Sequence, residues 1–226
     1  MIILLGASKG IGKDLIPFLT NIDHVICCSR TGKVKKYKNA SNYKIDITSE
    51  TEIDSFITSN KKLKKISVIF CASFKKDTLL VQSKKSDIDL TIDTNIKSII
   101  DITKKIMPIM IKQKYGRLIY LSSSEAASGS IGTSLYSMSK SALNGFSGSI
   151  SKEYGNFNIT SNIIELGAFN TGMYKKLDTK IKKQIKSNIP SKKLGKMSDI
   201  FNTINFIIKT EFLNGSIIKL NGGSKY

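Results

Sequence analysis

Short apolar, β-branched runs recur along the chain, at residues 2–5, 24–29, 43–45, 67–71, 117–122, 160–164 and 217–220. Runs of this length, set off by Gly, Ser, Asn or Lys, read as strands. Between them apolar positions recur at helical spacing: from Phe56 to Leu63, at Ile96, Ile99, Ile100 and Thr103, and at Phe201, Ile204, Ile207 and Ile208. This alternation predicts an α/β fold, a doubly wound parallel sheet of about seven strands with helices on both faces. Residues 30–44 are too few and too rich in lysine for more than a brief helix. No linker, repeat or low-complexity tract interrupts the rhythm, so residues 1–226 are expected to form a single domain.

Composition narrows the reading. Hydrophobic residues make up 40% of the 226 and charged residues 23%, enough for a packed core and too apolar for wholesale disorder. The 36 Lys+Arg against 17 Asp+Glu leave a net charge of +19, which raises nucleic acid, an anionic membrane or an acidic substrate as partners. The lysines are scattered, and their clusters at residues 33–38, 61–65 and 180–186 offer no row of aromatic residues for stacking bases. The charge reads as a solvated surface, with no nucleic acid expected. The most apolar stretch, 99–111, is broken by Asp101, Lys104, Lys105 and Pro108, so no membrane span is expected. Cys27, Cys28 and Cys71 lie in apolar stretches, an odd set that suits a reducing cytoplasm and has the wrong spacing for a metal site. His24, at the head of a strand, reads as structural.

The first strand runs into Gly6-Ala7-Ser8-Lys9-Gly10-Ile11-Gly12, and a helix follows. Gly6 would make the tight turn, and Gly10 would let the backbone approach a diphosphate. Gly12 would let helix and strand pack closely, with the helix N-terminus facing the negative charge. This is a Rossmann-type signal for a dinucleotide, though three glycines can also make a ligand-free β–α turn. The second strand ends at Ser29-Arg30 with no acid for a ribose 2′-hydroxyl. Arg30, Lys9 and Lys33 make a cationic corner there that suits a 2′-phosphate, which favours NADP(H) over NAD(H). A plain surface arginine is the alternative.

Tyr136 and Lys140 stand four residues apart, on one face of a helix. A neighbouring ammonium lowers a phenol's pKa, and carbonyl reduction needs an acid to protonate the alkoxide that forms. Alone the pair is a weak signal. Ser123 lies thirteen residues upstream at a strand's carboxyl end, where a hydroxyl can hold a substrate oxygen. Ser122 and Ser124 flank it. Asn95, in Asp93-Thr94-Asn95, opens an apolar-periodic helix and could relay protons through water or position the lysine.

On these residues the chain resembles the short-chain dehydrogenase/reductase family, and most of all its 3-oxoacyl-[acyl carrier protein] reductase branch, from Gly6 to Gly223. The resemblance selects Ser123 and implies a catalytic tetrad of Asn95, Ser123, Tyr136 and Lys140. In this tetrad Tyr136 is the acid–base group, and Lys140 also bonds the nicotinamide ribose. It implies cofactor contacts at the loop (Gly6, Ser8, Lys9, Gly10, Ile11, Gly12), at Arg30, at Asp46 and Ile47 by the adenine, and at Ala72. Gly167 and Thr171 would follow, the latter for the carboxamide. Leu5, Phe70-Cys71-Ala72-Ser73 and Leu166 depart from the family pattern on the cofactor side. The implied activity is ketone–alcohol interconversion with NADP(H), on a small-molecule ketone or a carrier-bound acyl group. A sugar or secondary-metabolite ketone, or a non-catalytic binding protein on the same scaffold, is the alternative. Residues 174–190 would be the substrate lid, and a homodimer or homotetramer is implied.

Overall fold

The computed structural model describes residues 1–175 and 177–224. Seven strands form one sheet: β1 (Ile2–Leu5), β2 (Val25–Ser29), β3 (Ala40–Lys44), β4 (Ser67–Phe70), β5 (Gly116–Ser123), β6 (Ile159–Leu166) and β7 (Ile217–Leu220). Their order is β3-β2-β1-β4-β5-β6-β7, and every pairing is parallel. The fold is the doubly wound α/β sheet that the sequence predicts.

Alternate residues of each strand feed opposite faces. Ile3, Leu5, Val68 and Phe70 enter one apolar cluster, where they meet Ile53 and Phe56 of α2 (Glu50–Ser59). Ile99, Ile102 and Ile106 of α4 (Ser98–Gln113) and Leu143 of α6 (Ser134–Tyr154) complete that face. Ile2, Leu4 and Ile69 enter the other cluster with Leu15, Ile16 and Leu19 of α1 (Gly10–Leu19). There α9 (Met197–Lys209) adds Ile200, Ile204 and Ile207. The chain reverses its direction of winding between β1 and β4, which opens a crevice at the carboxyl ends of the central strands.

Two local readings are corrected. The helix expected over 56–63 is α2 at Glu50–Ser59, because Ser49 caps it by accepting from Glu52 N at 3.4 Å, and Glu50 and Glu52 favour its first turn. Strand β3 begins three residues earlier than expected. No helix forms between β2 and β3, as the short lysine-rich stretch implied. His24 ties strand ends together, within 3.3 Å of Asn39 Oδ1 and 3.0 Å of Ser41 Oγ. The remaining helices are α3 (Lys85–Ile92), α5 (Glu125–Ser128), α7 (Gly172–Lys175) and α8 (Thr179–Asn188). Within the span 174–190, Lys176 lies outside the described residues; α8 buries none of its side chains. Among the described residues no helix is long and apolar enough to cross a membrane.

Candidate active site

The glycine loop closes β1 onto its neighbours. Gly6 N and Ala7 N both donate to Cys28 O at 3.0 Å. Gly6 has φ +94°, and a Cβ there would lie 2.6 Å from Ala72 N. A Cβ on Gly12 would lie 2.3 Å from Gly6 O, so the strand-to-helix contact is as close as backbones allow. No side chain caps α1, and its first turn carries no acid. Its leading amides are therefore oriented for an anion. Gly167 backs onto Asn221 in the same tight manner, its added Cβ 2.7 Å from Asn221 Cα.

The end of β5, a π-helical segment and α6 carry the predicted tetrad. Ser123 ends β5, and its hydroxyl accepts from Glu125 N at 3.2 Å. Tyr136 and Lys140 project from α6 and are both buried. Lys140 Nζ donates to Leu121 O at 2.8 Å and stands 5.8 Å from the centre of the Tyr136 ring. Asn95 is wholly buried in a π-helical segment, Asp93–Lys97, that joins α3 to α4. Its Oδ1 accepts from Phe74 N at 2.8 Å and from Ser73 Oγ at 3.2 Å. Its Nδ2 donates to Phe74 O at 2.8 Å and to Ser139 Oγ at 3.0 Å.

Burial sets the electrostatics. It pushes the Tyr136 phenol well above the usual phenol range, and the Glu125 charge adds to that; the Ser123 and Ser73 hydroxyls pull it back. The same burial brings the Lys140 ammonium down to about 8. The expected lowering of the phenol by Lys140 is not what this geometry gives: the ammonium is turned to the Leu121 carbonyl, and the net shift is upward. Cys71, whose sulfur lies against Gly12, is pushed up to about 12 by burial and is a poor nucleophile.

The sequence reading missed three residues at this site. Ser73, read only as part of a stretch that departs from the family pattern, links Asn95 to the phenol. Lys75 places its ammonium 5.1 Å from the Tyr136 ring centre and pairs with Glu125 at 2.8 Å. Glu125 follows Ser123 by two positions, a signal that was available; the partner fifty residues away was not.

The family pattern of the short chain dehydrogenases matches residues 1–182. The chain belongs to that family. Two proteins named 3-oxoacyl-[acyl-carrier-protein] reductase FabG, from Buchnera aphidicola and Rickettsia felis, are each 31% identical to it, over 98% of this chain and 95% of theirs. Carbonyl reductase family member 4 of Xenopus tropicalis is 27% identical over 97% of this chain and 95% of its own. A solved structure named for a gluconate dehydrogenase of Agrobacterium tumefaciens superposes with a TM-score of 0.90 over 99% of this chain and 95% of its own, at 20% identity, a likeness of fold. This short-chain dehydrogenase is thus an oxidoreductase of a family that uses NAD(P)(H).

Its residues fit such a cofactor. Beside the glycine loop lies a cavity of about 140 Å³ lined by Ala7, Ser8, Lys13, Lys33, Val34, Lys35 and Tyr37. Lys33 of the predicted corner lines it; the exposed Arg30 and Lys9 do not, and Lys13, Lys35 and Tyr37 were not foreseen. Asp46 Oδ1 holds the turn into α2, accepting from Thr48 N at 3.0 Å and Thr48 Oγ1 at 2.8 Å; Ile47 packs on the core beside it. Ile11 lies half-buried at the start of α1. Thr171 is buried and its hydroxyl donates to the Asp14 carboxylate. Gly172 packs on Gly10: a Cβ on Gly172 would lie 3.2 Å from Gly10 Cα.

Proposed function

We propose that this chain is an NADP(H)-dependent ketoreductase whose substrates include 3-oxoacyl groups on a thioester carrier. The convergence of Ser123, Tyr136 and Lys140 at the strand ends beside an uncapped glycine-loop helix carries the reading. The two FabG-named relatives, which span nearly the whole chain, support the acyl substrate. The cofactor, when bound, supplies hydride to the carbonyl carbon. Ser123 and Tyr136 hold the carbonyl oxygen, and the phenol gives its proton to the alkoxide that develops. The phenol is protonated at neutral pH, as an acid must be. Lys140 holds the nicotinamide ribose. Asn95 fixes the loop that carries Ser73. The glycine loop, Asp46, Ile47, Ala72, Gly167 and Thr171 hold the remainder of the dinucleotide, and Lys13, Lys33 and Lys35 suit a 2′-phosphate.

The exposed lysines of α8, Lys180, Lys183 and Lys186, suit an acidic carrier at the lid. A groove of about 360 Å³ between α4 and α6, lined by Ile100, Met107, Pro108, Ile111, Phe146 and Ile150, suits a second copy of the chain. The unpaired, buried Cys27 and Cys28 suit the cytoplasm.

The test follows NADPH absorbance with a panel of 3-oxoacyl thioesters and sugar-derived ketones, for the native chain and Tyr136→Phe. The native chain should oxidise NADPH with the thioesters. Tyr136→Phe should lose about 10²–10⁴-fold in turnover while still binding NADPH. Wild-type turnover in Tyr136→Phe overturns the assignment of the proton donor.

A further inference from the structure

The Lys75–Glu125 ion pair has no part in the reaction described above, yet it stands at its centre. Lys75 Nζ lies 5.1 Å from the Tyr136 ring centre, and it reaches both Glu125 oxygens, at 2.9 and 2.8 Å, and Asp77 at 3.4 Å. Glu125 N donates to the Ser123 hydroxyl at 3.2 Å. The pair therefore adjoins both groups that hold the reacting oxygen.

Its framework is fixed. Asn95 brackets Phe74, next to Lys75, on both backbone edges. Thr78 N donates to Gly132 O at 2.9 Å, tying the Lys75 loop to the segment that leads into α6. The Ser141 hydroxyl donates to Ala126 O, pinning the short helix that Glu125 begins. The pair is not sealed: the Lys75 and Glu125 side chains keep 15% and 26% of their exposure.

We infer that this pair is a second recognition point for the substrate. It takes a second oxygen, carbonyl or hydroxyl, one or two carbons from the reacting carbonyl, and it disfavours a bare hydrocarbon there. The inference rests on the ketoreductase reading and names the chemistry that the same site selects. A hydrocarbon laid across the pair strips the remaining water from two charges and gives nothing in return. Two of the three Lys75 N–H donors serve Glu125, and a carbonyl oxygen accepts from the third; a hydroxyl also donates to Glu125. With one oxygen held by Tyr136 and Ser123 and another by Lys75, the intervening carbons are fixed at both ends. With Asp77 beside the pair the group carries a net negative charge, so it selects dipolar groups and repels anions.

The experiment compares methyl 3-oxobutanoate with 2-hexanone, whose chains have equal numbers of atoms, by their kcat/KM with NADPH. The intrinsic reactivity of the two ketones cancels when the ratio is compared between variants. In K75M/E125L, which replaces the pair by hydrocarbon of similar size, the ester-to-ketone ratio should fall at least tenfold. In K75R, which keeps a cation with donors, it should stay within about threefold of wild type. NADPH binding, followed by fluorescence, establishes that each variant is folded. A K75M/E125L ratio equal to wild type overturns this inference alone. A native chain that binds NADPH and reduces neither ketone overturns the ketoreductase reading, and the inference with it.

Discussion

The side chain of Asn95 pairs with the backbone of Phe74 in both directions, as one strand residue pairs with another: Phe74 N to Oδ1 and Nδ2 to Phe74 O, each 2.8 Å. With Ser73 and Ser139 it makes four such bonds, the one to Ser139 fully buried and the others partly so. Asn95→Leu keeps the volume and removes every bond, leaving the Phe74 amide and carbonyl without partners. It should cost about 3 kcal/mol of stability in urea denaturation, since each stranded buried group costs roughly 1–3 kcal/mol. Asn95→Asp keeps the acceptor and loses both donations, and should fall between the two. Equal stability of all three chains would show that the amide does not hold this loop.

The phenol's two neighbours of opposite effect give a signed test. Glu125 raises the Tyr136 pKa and the Ser73 hydroxyl lowers it. In the reducing direction the phenol must be protonated, so activity is lost as pH rises through its pKa. Glu125→Gln removes a negative charge and frees Lys75, which moves the basic limb of the pH–rate profile to lower pH. Ser73→Ala moves it to higher pH. Shifts of the same sign in both variants would contradict the geometry.

Lys140 is buried, with its ammonium brought from 10.5 to about 8. The folded chain thus binds this proton less tightly than the unfolded chain does. Stability from this group is highest above pH 10.5, falls as pH drops toward 8 and is level below. The penalty at neutral pH is about 3 kcal/mol, offset in part by the bond to Leu121 O. Lys140→Met should therefore be more stable than the native chain at pH 7 while losing activity. That advantage should shrink between pH 8 and 10.5, as thermal melts across the range would show.

Lys33 and Lys35 line the cavity beside the glycine loop. Their joint replacement by Glu should weaken NADPH far more than NADH, by at least tenfold in the ratio of Kd values, because each bonded charge contributes about 1.5–3 kcal/mol. Arg30→Asp, exposed and outside the cavity, should have the smaller effect. Fluorescence titration with both reduced cofactors measures this, and an unchanged ratio would remove the cavity from cofactor selection.

What the sequence disclosed depended on how far apart the cooperating residues lie. The glycine loop and the Tyr136–Lys140 face are contiguous, so turn chemistry and helical spacing reveal them. Ser49 and Glu52, a local cap, were equally legible and would have placed α2 correctly. Ser73 meets Asn95 because the loop after β4 lies against the π segment, and Lys75 meets Glu125 because the loops after β4 and β5 converge, which no local period encodes. Arg117 shows the same limit in the core. An arginine is rarely buried outright, yet this one is, donating to Gly116 O at 2.9 Å and Asn158 O at 2.8 Å and stacked 4.3 Å from the Tyr115 ring centre. Carbonyls gathered at the foot of the sheet make that burial tolerable.

The π segment at Asp93–Lys97 passes from α3 into α4 without a break. Each helical residue advances the chain by about 100°, so removing one residue here would rotate everything downstream by that angle. The stripe of Ile99, Ile102, Ile106 and Met110 that seats α4 on the sheet would swing away from it. The widened turn that presents Asn95 and the angular phase that seats the following helix are therefore locked to one reading frame of the chain. Between residues 85 and 113 the protein can accept a change of side chain far more readily than a change of length.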